Sequence, residues 1–531
     1  MALQICGLLS KNVDNIQEIF NNSLDKSLIK FLVNADDIST SVLACRCLSN
    51  LCYENPVFQR QLVSNEDVLP SLKRIMNSII EEKISSKVVQ EEKAMLYCCG
   101  FLQNIVSEHD DIISTVLLAG IIPLLEKLME RHWSDPMICN LASFFLIRLC
   151  DDEDAATCIS KTSLFDFLCK RVSLIEDESD LAELLYGIFH LLRLSESKDI
   201  ERIYNDKFFD DVCKLACQSE SEDLYKCACD VIVSLLYSRS CIARVIHSKG
   251  ELLIPMLTNE HSVVRASGAL ALGNAVDCTA NAEILLPLKS YLLEMLQDKD
   301  TILAALAALK NLSIPTSNKE ILLGHLPKFI DLLLNPLEGS VNLEMKVVQL
   351  IRVLVASSSV QCSQLASNIP VVCRLVAISD RDFDHGAHEP RRLLAALITY
   401  GSLMKKNSSE LDHSTIIKTV SRLLELPHSV TKAEVLIALN MAFGQQPSLK
   451  LTFDVDKFLK SAKEILNEEP NDHVLQQHSV ISNLLVLLFV LWELKPVQAF
   501  ISSNKEAIVS LKESSVAGNS ASALLDRLES S

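Results

Sequence analysis

Apolar residues recur at helical spacing along nearly the whole chain, in stretches that each close on a polar residue two places after a leucine or similar apolar position. The pairing appears at Leu48/Asn50, Leu102/Asn104, Leu146/Arg148, Leu191/Arg193, Leu235/Tyr237, Leu272/Asn274, Leu309/Asn311, Leu350/Arg352, Leu397/Thr399 and Ala438/Asn440. Successive polar members are 54, 44, 45, 44, 37, 37, 41, 47 and 41 residues apart, and armadillo and HEAT units run about 40 to 47 residues. The long first step contains a charged insert between Glu81 and Glu92. Within a unit, a Leu/Ile-rich helix alternates with one rich in small residues. Val263 to Val276 carries Ala266, Gly268, Ala269, Ala271 and Gly273, and Ile302 to Leu312 carries Ala304, Ala305, Ala307 and Ala308. Small side chains let a helix approach its neighbours closely and so mark the inner helix of each pair. Ser39 precedes one inner helix, and Pro123, Pro136, Pro255, Pro287, Pro315, Pro327, Pro427 and Pro496 fall near helix starts or ends. No alternation of period two competes. One helix pair cannot bury its apolar face alone, so the pairs must stack. The predicted fold class is all-α, an armadillo/HEAT-type right-handed superhelical solenoid of about twelve repeats, read as a single domain over 1–531. The chain opens on an inner-type helix, Ile5 to Phe20, which reads either as a cap or as the start of an array that lacks an N-terminal piece.

Composition narrows the function. Of 531 residues, 49% are hydrophobic and 22% charged, which excludes a disordered chain. With 50 Lys+Arg against 68 Asp+Glu the formal net charge is -18, the wrong sign for a nucleic-acid binder, which needs basic surface to displace counterions. None of the 18 cysteines sits in a CxxC pair; the close ones are Cys45/Cys47, Cys98/Cys99, Cys213/Cys217 and Cys227/Cys229. They read as small buried hydrophobes in a reducing compartment, neither a zinc site nor a disulfide framework. The start, Met1 to Cys6, lacks the basic and long apolar stretches of a signal peptide. The segment Val480 to Trp492 is interrupted by Ser482 and Asn483 and falls short of the roughly 20 residues that span a bilayer. A cytoplasmic location without stable membrane insertion is expected. Asp382 to Glu389 offers Asp384, His385 and His388 in one loop, but such spacing is common by chance and no metal is expected there. There is no GxxxxGK loop, GxSxG elbow or HExxH helix. The chain therefore reads as a regulatory binding protein, not an enzyme, with no cofactor.

The acid is concentrated at one end: residues 1–240 hold 23 Lys/Arg against 38 Asp/Glu, and the remainder 27 against 30. Runs at Glu108-His109-Asp110-Asp111, Asp151-Asp152-Glu153-Asp154 and Glu176-Asp177-Glu178 close inner helices or their turns. Repeating geometry can align such acids into a shared field that attracts a Lys/Arg-rich segment; the plainer reading is solvated loops. The asparagines of the ladder also read two ways. Each carries a donor and an acceptor suited to clamping an extended peptide, yet each could equally bond the neighbouring turn. Tyr97, Cys98, Phe101 and Leu102 with Phe144, Phe145 and Leu146 form apolar faces that core packing explains, although an isoprenyl group would need just such a slot.

Particular segments carry a resemblance. Cys45-Arg46-Cys47-Leu48-Ser49-Asn50-Leu51-Cys52-Tyr53-Glu54, Ser267 to Asn274, Ala307 to Pro315, Asn318-Lys319 and Arg392 to Ile398 resemble the small-GTPase GDP-dissociation stimulators (smg GDS). The likeness covers nearly the whole chain, is most specific between 260 and 400, and is weak from about 150 to 245. It implies an armadillo solenoid that is a nucleotide-exchange factor and chaperone for Rho- and Rap-type small GTPases, binding their basic, prenylatable C-terminal tails. On that footing the chain divides into acidic N-terminal repeats (1–240), GTPase-contact repeats (241–410) and C-terminal repeats with a cap (411–531). The implied GTPase contacts are Asn274, Asp277, Asn311, Arg352 and Arg392. The implied tail groove comprises Asn50, Glu54, Asn104, Glu108, Asp110, Asp111, Asp151 and Asp152. The competing reading is a non-exchanging armadillo adaptor for basic peptides. Import receptors of that kind set Trp and Asn together along the groove, and neither Trp133 nor Trp492 stands a turn before a ladder Asn.

Overall fold

A computed structural model describes residues 2–82, 90–106, 110–132, 134–336, 341–356, 358–381, 388–406, 410–467, 474–514 and 516–530. Among these residues every regular element is helical. The helices gather into two compact units, Met1–Ala275 and Val276–Ser531. In the N-terminal unit the inner helices are α1 (Ile38–Cys52), α2 (Glu91–Val106), α3 (Pro136–Leu149), α4 (Glu178–Leu194), α5 (Glu222–Leu235) and α6 (Ser262–Asn274), each packed on the next. In the C-terminal unit α7 (Ile302–Leu312), α8 (Val341–Val355), α9 (His388–Gly401), α10 (Ser429–Gln445) and α11 (Val474–Val490) stack in the same way.

Local chemistry sets where these helices begin. Asp37, Asp135, Asp177 and Ser221 stand in extended backbone and accept hydrogen bonds from the first free amides of α1, α3, α4 and α5. Once started, the helices bury nearly continuous Leu, Ile, Val, Ala and Cys faces, and Leu48, Leu102, Leu146, Leu191, Leu235, Leu272, Leu309, Leu350 and Leu397 are all fully buried. The small residues act as expected: a Cβ on Gly268 would stand 2.9 Å from the Met256 Cβ, and one on Gly401 would stand 2.5 Å from the Cys362 carbonyl oxygen. The helix read over Ile5 to Phe20 is in fact two, Ala2–Leu9 and Val13–Asn21. The break follows from side-chain competition for its carbonyls, since Asn15 donates to the Leu9 oxygen at 3.1 Å and Asn50 of α1 donates to that of Gly7 at 3.1 Å.

A second set of bonds fixes the register between repeats. Glu126 accepts from the Ser163 amide (2.7 Å) and hydroxyl (2.8 Å), 37 residues on. Glu201 accepts from the hydroxyls of Ser238 and Ser240, and Glu283 from that of Ser317 at 2.7 Å. In the reverse direction, Arg74, Arg202, Arg244 and Lys328 donate to backbone carbonyls of the repeat before, at Leu32, Ser160, Asp206 and Leu293. No single helix among the described residues is long and apolar enough to cross a membrane.

Candidate functional site

A groove of about 810 Å³ runs across α2, α3, α4 and α5 in the N-terminal unit. Phe144, Ile147, Ala182 and Tyr186 supply its apolar lining; Gln103, Arg148, Asp151, Ser179, Glu183, Asp223, Lys226 and Cys227 supply the rest. Residues 179, 182, 183 and 186 lie at i, i+3, i+4 and i+7 of α4, so one helix face is presented to the groove. At Gly187 a Cβ would meet the Ile147 side chain at 3.0 Å, and this close passage of α4 over α3 shapes the wall. The charges are not equivalent. Arg148 is paired with Asp151, and Lys226 with Glu222 at 2.5 Å. Glu183 and Asp223 have no ion-pair partner among the described residues. Partial burial, with Asp180 adding like charge, raises the Glu183 carboxyl above its ordinary value, and burial does the same to Asp230 on the next turn of α5 from Lys226. The groove thus presents Glu183 without a direct ion pair, while Asp223 shares the field of Lys226, three residues on, without touching it.

A smaller concavity of about 470 Å³ brings together three of the expected tail residues, Asn50, Glu54 and Asn104, beside Ser10, Lys11, Tyr53 and Asn55. Glu54 is exposed and sits in left-handed backbone at φ 50°. The ladder asparagines spend their donors internally. Asn50 donates to Gly7 O and to Ser10 Oγ (3.0 Å), Asn104 to Ser49 O (3.0 Å), Asn274 to Val233 O (3.3 Å) and Asn440 to Asn483 O (3.1 Å). Each of these bonds joins neighbouring repeats, which is the plainer of the two readings of the ladder.

The other expected residues divide as follows. Asp151 lines the large groove, whereas Asp152 caps the next helix by accepting from the Ala155 amide at 2.9 Å. Glu108 lies outside the described residues, as do the side chains of Asp110 and Asp111 and the loop 382–387 that suggested a metal. Among the described residues no cluster of three or more His, Cys, Asp or Glu could hold a metal ion. Asn311 is half-buried at the end of α7, and Asp277 is exposed, accepting from Asn281 at 2.5 Å. Arg352 and Arg392 do converge on one pocket of about 170 Å³. Both are engaged by acids: Arg352 donates to Glu389 at 2.5 Å, and Arg392 donates to both oxygens of Glu434 at 2.8 Å each. Of the apolar residues singled out, Cys98, Phe101, Leu102, Phe145 and Leu146 are core, and Phe144 is the one that reaches the groove. Glu183, Tyr186, Asp223 and Lys226 were missed. Their mixed exposed stripes at helical spacing on α4 and α5 were the available signal, hidden because no single residue type repeats.

No protein-family model matches the chain. It is 22% identical over 479 residues to Rap1 GTPase-GDP dissociation stimulator 1-B of Xenopus laevis, which spans 85% of this chain and 76% of the relative. The 1-A form from the same organism is 23% identical over 434 residues, covering 77% and 69%. The chain resembles the GDP dissociation stimulators. That is the resemblance its own segments carry, extended over most of its length. Among solved structures, an engineered protein superimposes with a TM-score of 0.58 over 79% of this chain and 98% of its own, at 18% identity. A chain from a study of the interaction between cadherin and beta-catenin does so at 0.56 over 91% and 96%, at 14% identity. These likenesses, together with the repeat period and the stacked inner helices, establish an all-α fold of armadillo type.

Proposed function

We propose that the chain is a guanine nucleotide exchange factor and chaperone for a small GTPase of Rap or Rho type. The groove on α2–α5 grips the GTPase's basic, prenylatable C-terminal tail, and the C-terminal unit meets its folded domain. The observation that carries this reading is the pair of groove carboxylates, Glu183 and Asp223, neither in a direct ion pair, beside the apolar lining of Phe144, Ile147 and Tyr186. Lysine and arginine head groups complete the first, and an isoprenyl chain or apolar side chain suits the second. The relatives named as Rap1 GDP dissociation stimulators supply the partner class.

Exchange of this kind needs no acid, base or metal. A protein that binds the nucleotide-free GTPase better than the GDP-bound form weakens GDP binding by the same factor, by linkage. A tenfold loss of GDP affinity takes about 1.4 kcal/mol of differential binding. The test is release of labelled GDP from Rap- and Rho-type GTPases with and without the protein. Acceleration that disappears with the tail lysines neutralised is the expected result. Complex formation with unchanged GDP release would instead favour the non-exchanging adaptor, and no complex at all would refute both.

A further inference from the structure

The face of the C-terminal unit that carries Arg352 and Arg392 is not acidic. Lys310 near the end of α7 and Lys346 on α8 are both half-buried on adjacent packed helices, and neither has a carboxylate partner among the described residues. Burial lowers the Lys310 ammonium below its ordinary value, and Lys346 and Arg352 push it the same way, outweighing the attraction of Glu389. Also on α8, Arg352 lies against Glu389 of α9, and Arg392 of α9 lies between Glu389 (3.3 Å) and Glu434 of α10, around the 170 Å³ pocket lined by Ala395 and Ala396. Lys310, Lys346, Arg352 and Arg392 therefore lie near two carboxylates, Glu389 and Glu434, both engaged by the arginines, while Glu344, two residues before Lys346 on α8, is buried against Arg374. Half-buried like charges without counter-charge are unfavourable by themselves and become favourable when an anion docks.

We infer that Lys310 and Lys346, flanked by Arg352 and Arg392, form a docking surface for carboxylates on an acidic face of a folded protein partner. The overall charge of -18 repels an extended polyanion, so a few carboxylates displayed on a folded surface fit this local reversal better than nucleic acid does. The inference rests on the GTPase reading for the identity of that partner. The experiment compares the intact protein with the K310E/K346E and K310M/K346M variants, titrated with three probes: the GTPase lacking its tail, the isolated tail peptide, and a labelled Asp/Glu-rich peptide. Expected are an at least tenfold loss of affinity for the tail-less GTPase in K310E/K346E, a smaller loss in K310M/K346M, and tail-peptide binding within twofold in both, which also reports that the N-terminal unit is folded. Unchanged binding of the tail-less GTPase by K310E/K346E, or failure of the intact protein to bind it while binding the tail, overturns the inference and leaves the tail grip standing. If no GTPase or tail binds at all, the partner reading has failed. The acidic peptide then decides: binding lost on charge reversal upholds the surface, and binding absent or insensitive to reversal overturns it.

Discussion

Individual polar side chains in this chain differ in whether their bonding capacity is spent within the fold, and the proposed function assigns recognition to those where it is not. Asn104 hands its amide hydrogens to Ser49 of the preceding inner helix. Replacing it with alanine leaves a half-buried carbonyl short of a donor and should cost about 1 kcal/mol, read as a lower urea midpoint at unchanged slope, with tail binding little altered. Glu183 and Asp223 behave oppositely. E183Q or D223N should leave stability near its starting value and weaken a Lys/Arg tail about two- to fivefold each, measured by fluorescence anisotropy. Acid should do the same. Because partial burial raises the Glu183 carboxyl above its ordinary value, it takes up its proton sooner than an ordinary glutamate as pH falls, and the grip should begin to fail at a higher pH than a free glutamate would set. The sign for stability is the reverse: a raised carboxyl binds its proton better folded than unfolded, so protonation favours the folded state, and binding lost in this window is not unfolding. The ladder positions were legible from spacing alone. Which atom of each asparagine is already spent was not, since that depends on a partner some 40 residues away.

Among helices, the informative features are the places where one backbone nearly touches another and where one helix caps its neighbour. At Gly401 the approach is to a backbone carbonyl, which cannot rotate aside like a side chain. Gly401→Ala should therefore destabilise the protein by about 1–3 kcal/mol, whereas Gly444→Ala, with nothing within 4 Å, should be neutral or slightly stabilising by helix propensity. Thermal unfolding of the pair checks this. Glu126 gives the matching test for the caps: E126A removes two bonds to Ser163 and should cost about 1–2 kcal/mol through loss of charge-assisted hydrogen bonds. Alternating Leu-rich and small-residue segments made the helix pairs readable from composition. The split at Ser10–Asn12 was not, because continuous apolar spacing runs through it and only side chains folded back from Asn15 and Asn50 reveal the break. The acidic runs were readable as runs, but Asp152 and Asp177 proved to be helix caps. Asp is favoured at that position for the same short carboxylate that makes it attractive to lysine, and sequence alone does not tell the roles apart.

At the scale of the whole chain, charge is partitioned: -15 over residues 1–240 and -3 over the rest, from the 23 against 38 and 27 against 30 charged residues. Tail binding should accordingly fall as salt rises through physiological strength, where screening shortens the reach of exposed charges to about 8 Å, while apolar contacts with Phe144 and Tyr186 persist. A prenylated tail should thus lose less affinity than a bare peptide over the same salt series. The thiols close the picture. Eleven of the 18 cysteines are buried, and only Cys158 and Cys278 are exposed; burial lifts Cys47 to about 12 and Cys227 to about 11, far from the thiolate form that reacts. Alkylation is therefore a ready-made gauge of opening. A brief pulse of maleimide should mark Cys158 and Cys278 first in the native protein, and the order in which Cys45, Cys98, Cys229 and Cys362 follow under denaturant would report, repeat by repeat, where the stack comes apart.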